Sequence, residues 1–273
     1  MPAFYAHLTF ARQVKSSLPD SFSEAFLPEK DTDIYEIGAQ GPDILFFYNP
    51  ATRNEAGNMA HAIHDASGKG FFMRAAEKIR AEKEENRRSQ MRTYALGCIC
   101  HLALDAVCHP AIEDCIRRTS VSHHEIEKEM DKYLMRKDGL EPFSFRFQTG
   151  FRPTPAAERM IARFYGLSSH IVHASMRNYL WISRMFFTRH QWIRKPVFAV
   201  LRAMGIYDEV HGFFANKSDN PRCRDFCRRM AATLDDNITV CARMQQDFIR
   251  YLEGEVPGLT EDFDRPFSVQ QAG

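Results

Sequence analysis

The sequence predicts an all-α fold, a single multi-helix domain, and three observations carry that expectation. Apolar residues recur every three to four positions through most of the chain. Sustained period-two alternation bounded by hairpin turns is absent, and only Phe143-Ser144-Phe145-Arg146-Phe147 reads as a short extended piece. No Gly/Ser-rich or Pro-rich linker and no repeat period divides the 273 residues, a length that suits one sizeable core.

Composition narrows the function classes. With 36 basic and 35 acidic residues, the chain has no global field to recruit nucleic acid. The amino terminus lacks an apolar stretch followed by a small-residue cleavage site. No uninterrupted apolar run approaches the roughly 18 residues that would span a bilayer, so a cytoplasmic protein without a transmembrane segment is expected. Seven cysteines at irregular spacing fit reduced, buried thiols better than a disulfide framework. Cys223 and Cys227 have chelating spacing but no second pair nearby.

Residues 3–17 carry Phe4, Leu8, Ala11 and Val14 at helical spacing, which places His7 on a short amphipathic helix as core packing or as a ligand. A loop with Pro19, Pro28 and paired acids follows. It leads to Tyr35-Glu36-Ile37-Gly38-Ala39-Gln40-Gly41-Pro42-Asp43, where Gly41 and Pro42 predict a tight turn. Asp43 is then either a helix cap or a ligand held at a fixed angle. Asn58 to Ile79 reads as helix that Gly68 and Gly70 divide, with His61 and His64 on one face. The charged run from Lys78 to Arg92 reads as an exposed helix followed by a turn.

Tyr94 to Pro110, YALGCICHLALDAVCHP, organises the rest. It sets His101, Asp105 and His109 at successive four-residue steps, each of which turns the side chain by about 40° and raises it by about 6 Å. One ion cannot span that stripe. Neighbours can share one, and a carboxylate in the middle can lend its second oxygen to another, so the pattern asks for two ions with Asp105 as the bridge. A buried histidine hydrogen-bonded to an aspartate is the simpler alternative for the same spacing. The remaining faces are apolar, which predicts a helix buried nearly all round, and Pro110 sets its end at His109.

Ser122 reads as the N-cap of a helix with Glu125 at the capping-box position and His123 and Glu127 one turn apart, the spacing at which two ligands close on one ion. Beyond Pro155 the pattern is helical to about His190, broken before Pro196, resumed to Met204, and helical again from about Pro221 to Glu253. Arg177 to Phe198 holds both tryptophans, Trp181 and Trp192, among several arginines. Such a face suits a lipid surface, a substrate mouth, or a core or dimer-interface helix with snorkelling arginines.

Seven of the 11 histidines fall in the first 124 residues, near Asp43, Asp105 and Glu127. Nitrogen and carboxylate donors without cysteine suit zinc, with iron or manganese as weaker options. The order of segments is a histidine near the amino terminus, a G-x2-G-P-D turn, a histidine helix, H-x3-D-x3-H-P and then H-x3-E. Together they resemble the zinc-dependent phospholipase C family and, more distantly, the S1/P1 nucleases. The resemblance covers roughly residues 1–140. It implies a phospholipase C-like, all-helical fold with a cluster of two to three zinc ions held by His7, Asp43, His64, His101, Asp105, His109, His123 and Glu127. On this likeness Asp105 bridges, and Asp43 is both a ligand and the catalytic residue that orients or deprotonates the attacking water. His64 is preferred to His61 for its distance to Phe71-Phe72. The chain then divides into cluster ligands in 1–140, helical completion in 141–255 and an irregular tail in 256–273.

Secreted relatives use a processed N-terminal tryptophan as a ligand, and this chain lacks it. Removal of Met1 before Pro2 is expected to expose an imino group that fills the same position. The implied activity is hydrolysis of a phosphodiester, most simply a phospholipid headgroup, with peripheral membrane contact. A nuclease would want aromatic platforms and a basic track. The third reading is a helical binding protein that keeps its metal for stability alone.

Overall fold

The computed structural model describes residues 4–142 and 154–267, so Pro2 and the Phe143–Phe147 stretch lie outside the described residues. In chain order the helices are α1 (Phe4–Ser17), α2 (Asp20–Phe26), α3 (Thr32–Ala39), α4 (Glu55–Asp65), α5 (Gly68–Ala81), α6 (Glu85–Thr119) and α7 (His123–Lys137). Then come α8 (Pro155–Tyr165), α9 (Ser169–Phe186), α10 (Gln191–Ala203), α11 (Tyr207–Val210) and α12 (Arg224–Leu252). The fold is all-α: among the described residues the only β feature is an isolated bridge between Ser67 and Pro266.

Helix α6 is the axis. Every residue from Thr93 to Asp105 is buried, because α1, α3, α5 and α12 all pack on this helix. By length and composition α6 could cross a membrane, but its apolar faces are spent on these neighbours. Two buried amides lock α12 to it: Asn237 Nδ2 donates to the Ala103 carbonyl at 2.8 Å, and Gln245 Nε2 donates to the Leu96 carbonyl at 2.8 Å. The buried apolar side chains form one continuous cluster that runs from Phe4 to Phe267.

Helix α3 crosses α6 at backbone contact. A Cβ added to Gly38 would strike the Tyr94 carbonyl, and one added to Gly97 would stand 2.8 Å from Gly38 Cα. Side chains at either position would push the helices apart, so the two glycines set this crossing.

Four expectations need correction. Helix α6 does not end at His109; it runs through Pro110 to Thr119. Proline removes one intrahelical hydrogen bond, but burial of Ile112 and Cys115 in the core offsets that loss and holds the next turns in place. The same override carries α10 through Pro196, and the chain breaks earlier, at residues 187–190. The segment between Pro19 and Pro28 is not a plain loop. It contains α2, whose Phe22 and Ser23 N–H groups both donate to the Pro19 carbonyl. The run from Lys78 to Arg92 is two helix ends. Helix α5 stops at Ala81, and the Glu84 carboxylate caps α6 by accepting from the Asn86 and Arg87 N–H groups.

Candidate metal centre

The Gly41–Phe47 turn, a short 3-10 segment, presents Asp43 to the middle of α6. Gly41 adopts φ 54°, and a Cβ there would lie 2.7 Å from His101 Cγ. Glycine is required on both counts, by conformation and by close approach. Across from it, Asp43 Oδ1 lies 2.9 Å from His64 Nε2, and Oδ2 lies 3.7 Å from His101 Nε2. His61 stays exposed with its ring on the edge of Phe46, so α4 offers His64 to the cluster.

Asp105 faces three histidines. Its Oδ1 is 3.3 Å from His7 Nε2, and its Oδ2 is 3.2 Å from His101 Nε2 and 3.7 Å from His109 Nε2. The His7 and His101 rings stack at 4.4 Å. On α7, His123 Nε2 meets Glu127 Oε1 at 3.0 Å, with the His109 ring 5.3 Å from that of His123.

These contacts resolve into three groups whose donor atoms lie within 4.8 Å of one another: Asp43, His64 and His101; His7, His101 and Asp105; and His109, His123 and Glu127. All eight candidate ligands are among them. His101 is common to two groups, and its Nε2 has one lone pair, so it serves one ion at a time. Asp105 is the atom-level link, with one oxygen towards His7 and the other shared between His101 and His109.

The outer ring atoms are held by the backbone. Carbonyls only accept, so His64 Nδ1 donates to Ala60 O at 2.7 Å and His101 Nδ1 donates to Ala39 O at 3.2 Å. Each bond places a proton on Nδ1 and leaves Nε2 as the atom that faces the carboxylates and would bind a cation.

Electrostatics follow from packing carboxylates and imidazoles together away from water. Burial disfavours ionisation of Asp43 and Asp105, yet the facing imidazoles outweigh it and hold both carboxyls below the ordinary range, Asp105 well below. Burial depresses the His101 imidazolium, but Asp105 and Asp43 overcome it and raise the group to about 9. His109 goes the other way, because burial dominates and lowers it.

The donor set fits zinc: nitrogen and carboxylate oxygen, no thiolate. His101 Nε2 and Glu127 Oε2 are buried and make no hydrogen bond among the described residues, although Asp105 Oδ2 lies 3.2 Å from the first and His124 Nδ1 3.6 Å from the second. Close donors that do not align on a shared proton are what groups converging on a cation display. Solvent reaches the centre from one side. The His109 and His123 side chains are 17% and 23% exposed, whereas those of His7 and His101 are 3% and 0%. The closed side is backed by Phe267, whose ring lies 5.8 Å from those of both His64 and His101.

Three residues outside the eight also matter here. Glu113 Oε1 stands 3.9 Å from His123 Nδ1, and His124 Nδ1 stands 3.6 Å from Glu127 Oε2. Asp131 caps α1: its Oδ1 accepts from the Tyr5 and Ala6 N–H groups, both at 3.0 Å, two residues and one residue before His7. Its Oδ2 takes Lys128 Nζ at 3.2 Å, so the anion is paired where it is buried. Glu113 carries a sequence signal, four residues beyond His109 on the same face, and so does His124, one of the seven early histidines and three residues before Glu127; the cap of a helix 126 positions away carries none.

Clustered imidazoles and carboxylates in an all-α core are, as a class, the donor set of a helical metal-binding protein. A family model described as zinc dependent phospholipase C matches residues 6–168, more than half of the sequence, and the chain belongs to that family. No curated protein and no solved structure matches.

Proposed function

We propose that the protein is a phosphodiester hydrolase of the phospholipase C type that cleaves a phospholipid headgroup with two to three zinc ions. Family membership supports phospholipase C-like chemistry, and one observation carries the assignment of residues: Asp105 links histidines of both buried groups to the more open His109. Zinc bound there would neutralise charge on a phosphoryl group and make a water acidic enough to be a nucleophile near neutral pH. The chain supplies the rest. His109, His123 and Glu127 lie on the solvent side, where a phosphodiester enters. Asp43, kept ionised by His64 and His101, is the carboxylate that orients a water and takes its proton. The backbone bonds to His64 and His101 keep those rings from turning as charge moves.

The seven unpaired cysteines, six of them fully buried, support action in a reducing compartment. Purified protein is expected to carry more than one equivalent of zinc and to hydrolyse bis-p-nitrophenyl phosphate until a chelator is added. A headgroup-resolved lipid panel then identifies the product. Zinc without turnover would leave a metal-stabilised binding protein, and folded protein that takes up no zinc would end the assignment.

A further inference from the structure

The formal charge of +1 conceals a strong asymmetry. Residues 159–207 contain eight Lys and Arg and no Asp or Glu. Set against 36 basic and 35 acidic residues in the whole chain, the remainder has 28 and 35, a net of −7. The acid-free stretch is α9, α10 and the end of α8, and both tryptophans of the chain stand on it.

Neither tryptophan is in the core. Trp181 is 64% exposed and Trp192 is 73% exposed, beside Val200 at 56% and Met204 at 60%. On α9, Arg177, Trp181 and Arg184 occupy one outward face at helical spacing. On α10, Trp192, Lys195, Val200 and Met204 are outward. Among the described residues no carboxylate pairs with Arg177, Arg184, Lys195 or Arg202.

The inward side of α9 packs on the Gly41–Phe47 segment that carries Asp43. Tyr179 packs on Phe4 and Phe47 at 5.4 and 5.3 Å, and Asn178 Nδ2 donates to the Phe47 carbonyl at 2.9 Å, at the end of the turn that carries Asp43. From the solvent side of the centre, the His124 ring stacks on Phe213 at 3.9 Å, and Phe213 stacks on Phe186 of α9 at 5.2 Å. One helix thickness, about 10 Å, separates the two sides of α9.

We infer that the outward faces of α9 and α10 dock the protein on an anionic lipid surface. Exposed indoles with aliphatic neighbours and snorkelling cations match the interface between headgroups and acyl chains, and unopposed Arg and Lys match its negative charge. A polyphosphate strand would answer the charge but gives exposed Val200 and Met204 nothing to bury against. Docking through α9 brings the centre to within one helix of the headgroups. The inference concerns binding only and stands or falls apart from turnover.

The two tryptophans make intrinsic fluorescence a direct reporter. Zinc-loaded protein is mixed with vesicles of phosphatidylcholine, or of equimolar phosphatidylcholine and phosphatidylglycerol, and followed by emission and by co-sedimentation. A blue shift and pelleting with the anionic vesicles alone, both reversed by about 1 M salt, are expected. Arg184→Gln with Lys195→Gln should weaken binding roughly thirty-fold. Trp181→Ala with Trp192→Ala should abolish pelleting while sparing hydrolysis of a water-soluble phosphodiester. No shift with either vesicle, equal binding to both, indifference to the paired substitutions, or a larger shift with single-stranded DNA would overturn the inference.

Discussion

Gly38 and Gly97 meet where α3 crosses α6, and a methyl group on Gly97 would stand 2.8 Å from Gly38 Cα and 2.9 Å from the Ala39 nitrogen. The contact is upstream of the centre, since Ala39 holds His101 and Gly41 rests on the His101 ring. Gly97→Ala is therefore expected to lose about 1–3 kcal/mol of stability and to reduce zinc retained per chain. Urea unfolding and elemental analysis measure the two effects. Full zinc content with normal stability would mean that the crossing does not position Asp43.

Asp105 and Asp43 should part company on substitution. Asp105→Ala removes the link between the buried groups and His109, and should lower zinc content at two positions. Asp43→Asn keeps an oxygen facing His64 and should retain most of the zinc, while turnover falls by about 10²–10⁴-fold. Equal zinc loss in both variants would contradict separate roles.

Asp131 holds the start of α1 from α7. In Asp131→Ala, the Tyr5 and Ala6 N–H groups lose their acceptor and Lys128 is left buried without its partner. Breaking such a pair costs about 3–5 kcal/mol. Asp131→Asn keeps an acceptor for the helix but not the charge, so its unfolding midpoint in urea should fall between those of wild type and the alanine variant.

His101 predicts opposite pH responses with and without metal. Its pKa in the folded protein is raised to about 9 from an ordinary 6.5, since Asp105 and Asp43 outweigh burial. A raised pKa stabilises the folded state fully below pH 6.5, and that contribution is lost as pH rises through 9. Chelator-stripped protein should therefore lose this part of its stability from pH 6.5 to 9. Zinc must displace the same proton, so its affinity should rise over that window with proton release on binding. Thermal melts with and without chelator, and calorimetry in buffers of different ionisation enthalpy, test both signs.

The helical order of this chain was legible because it is written locally, in apolar periods, in the Ser122 cap and in the Gly41-Pro42 turn. The 101/105/109 stripe was legible as something no single ion spans, and His101 and His109 do fall in different groups. Their other partners, His7, His64 and His123, were named only through the family resemblance and not by spacing, since they reach the stripe from α1, α4 and α7. Pro110 misled for the opposite reason: a sound local rule yielded to burial of Ile112 and Cys115 farther along α6. Asp131 was invisible because its hydrogen bonds lie on another helix.

Phe267 touches the rings of His64 and His101 from a segment well past residue 168, where the family pattern stops. The polarity felt by two candidate ligand imidazoles is thus set partly by sequence the family leaves unspecified. Substitutions at the chain's far end would then retune that corner's grip on zinc with all eight candidate ligands unchanged.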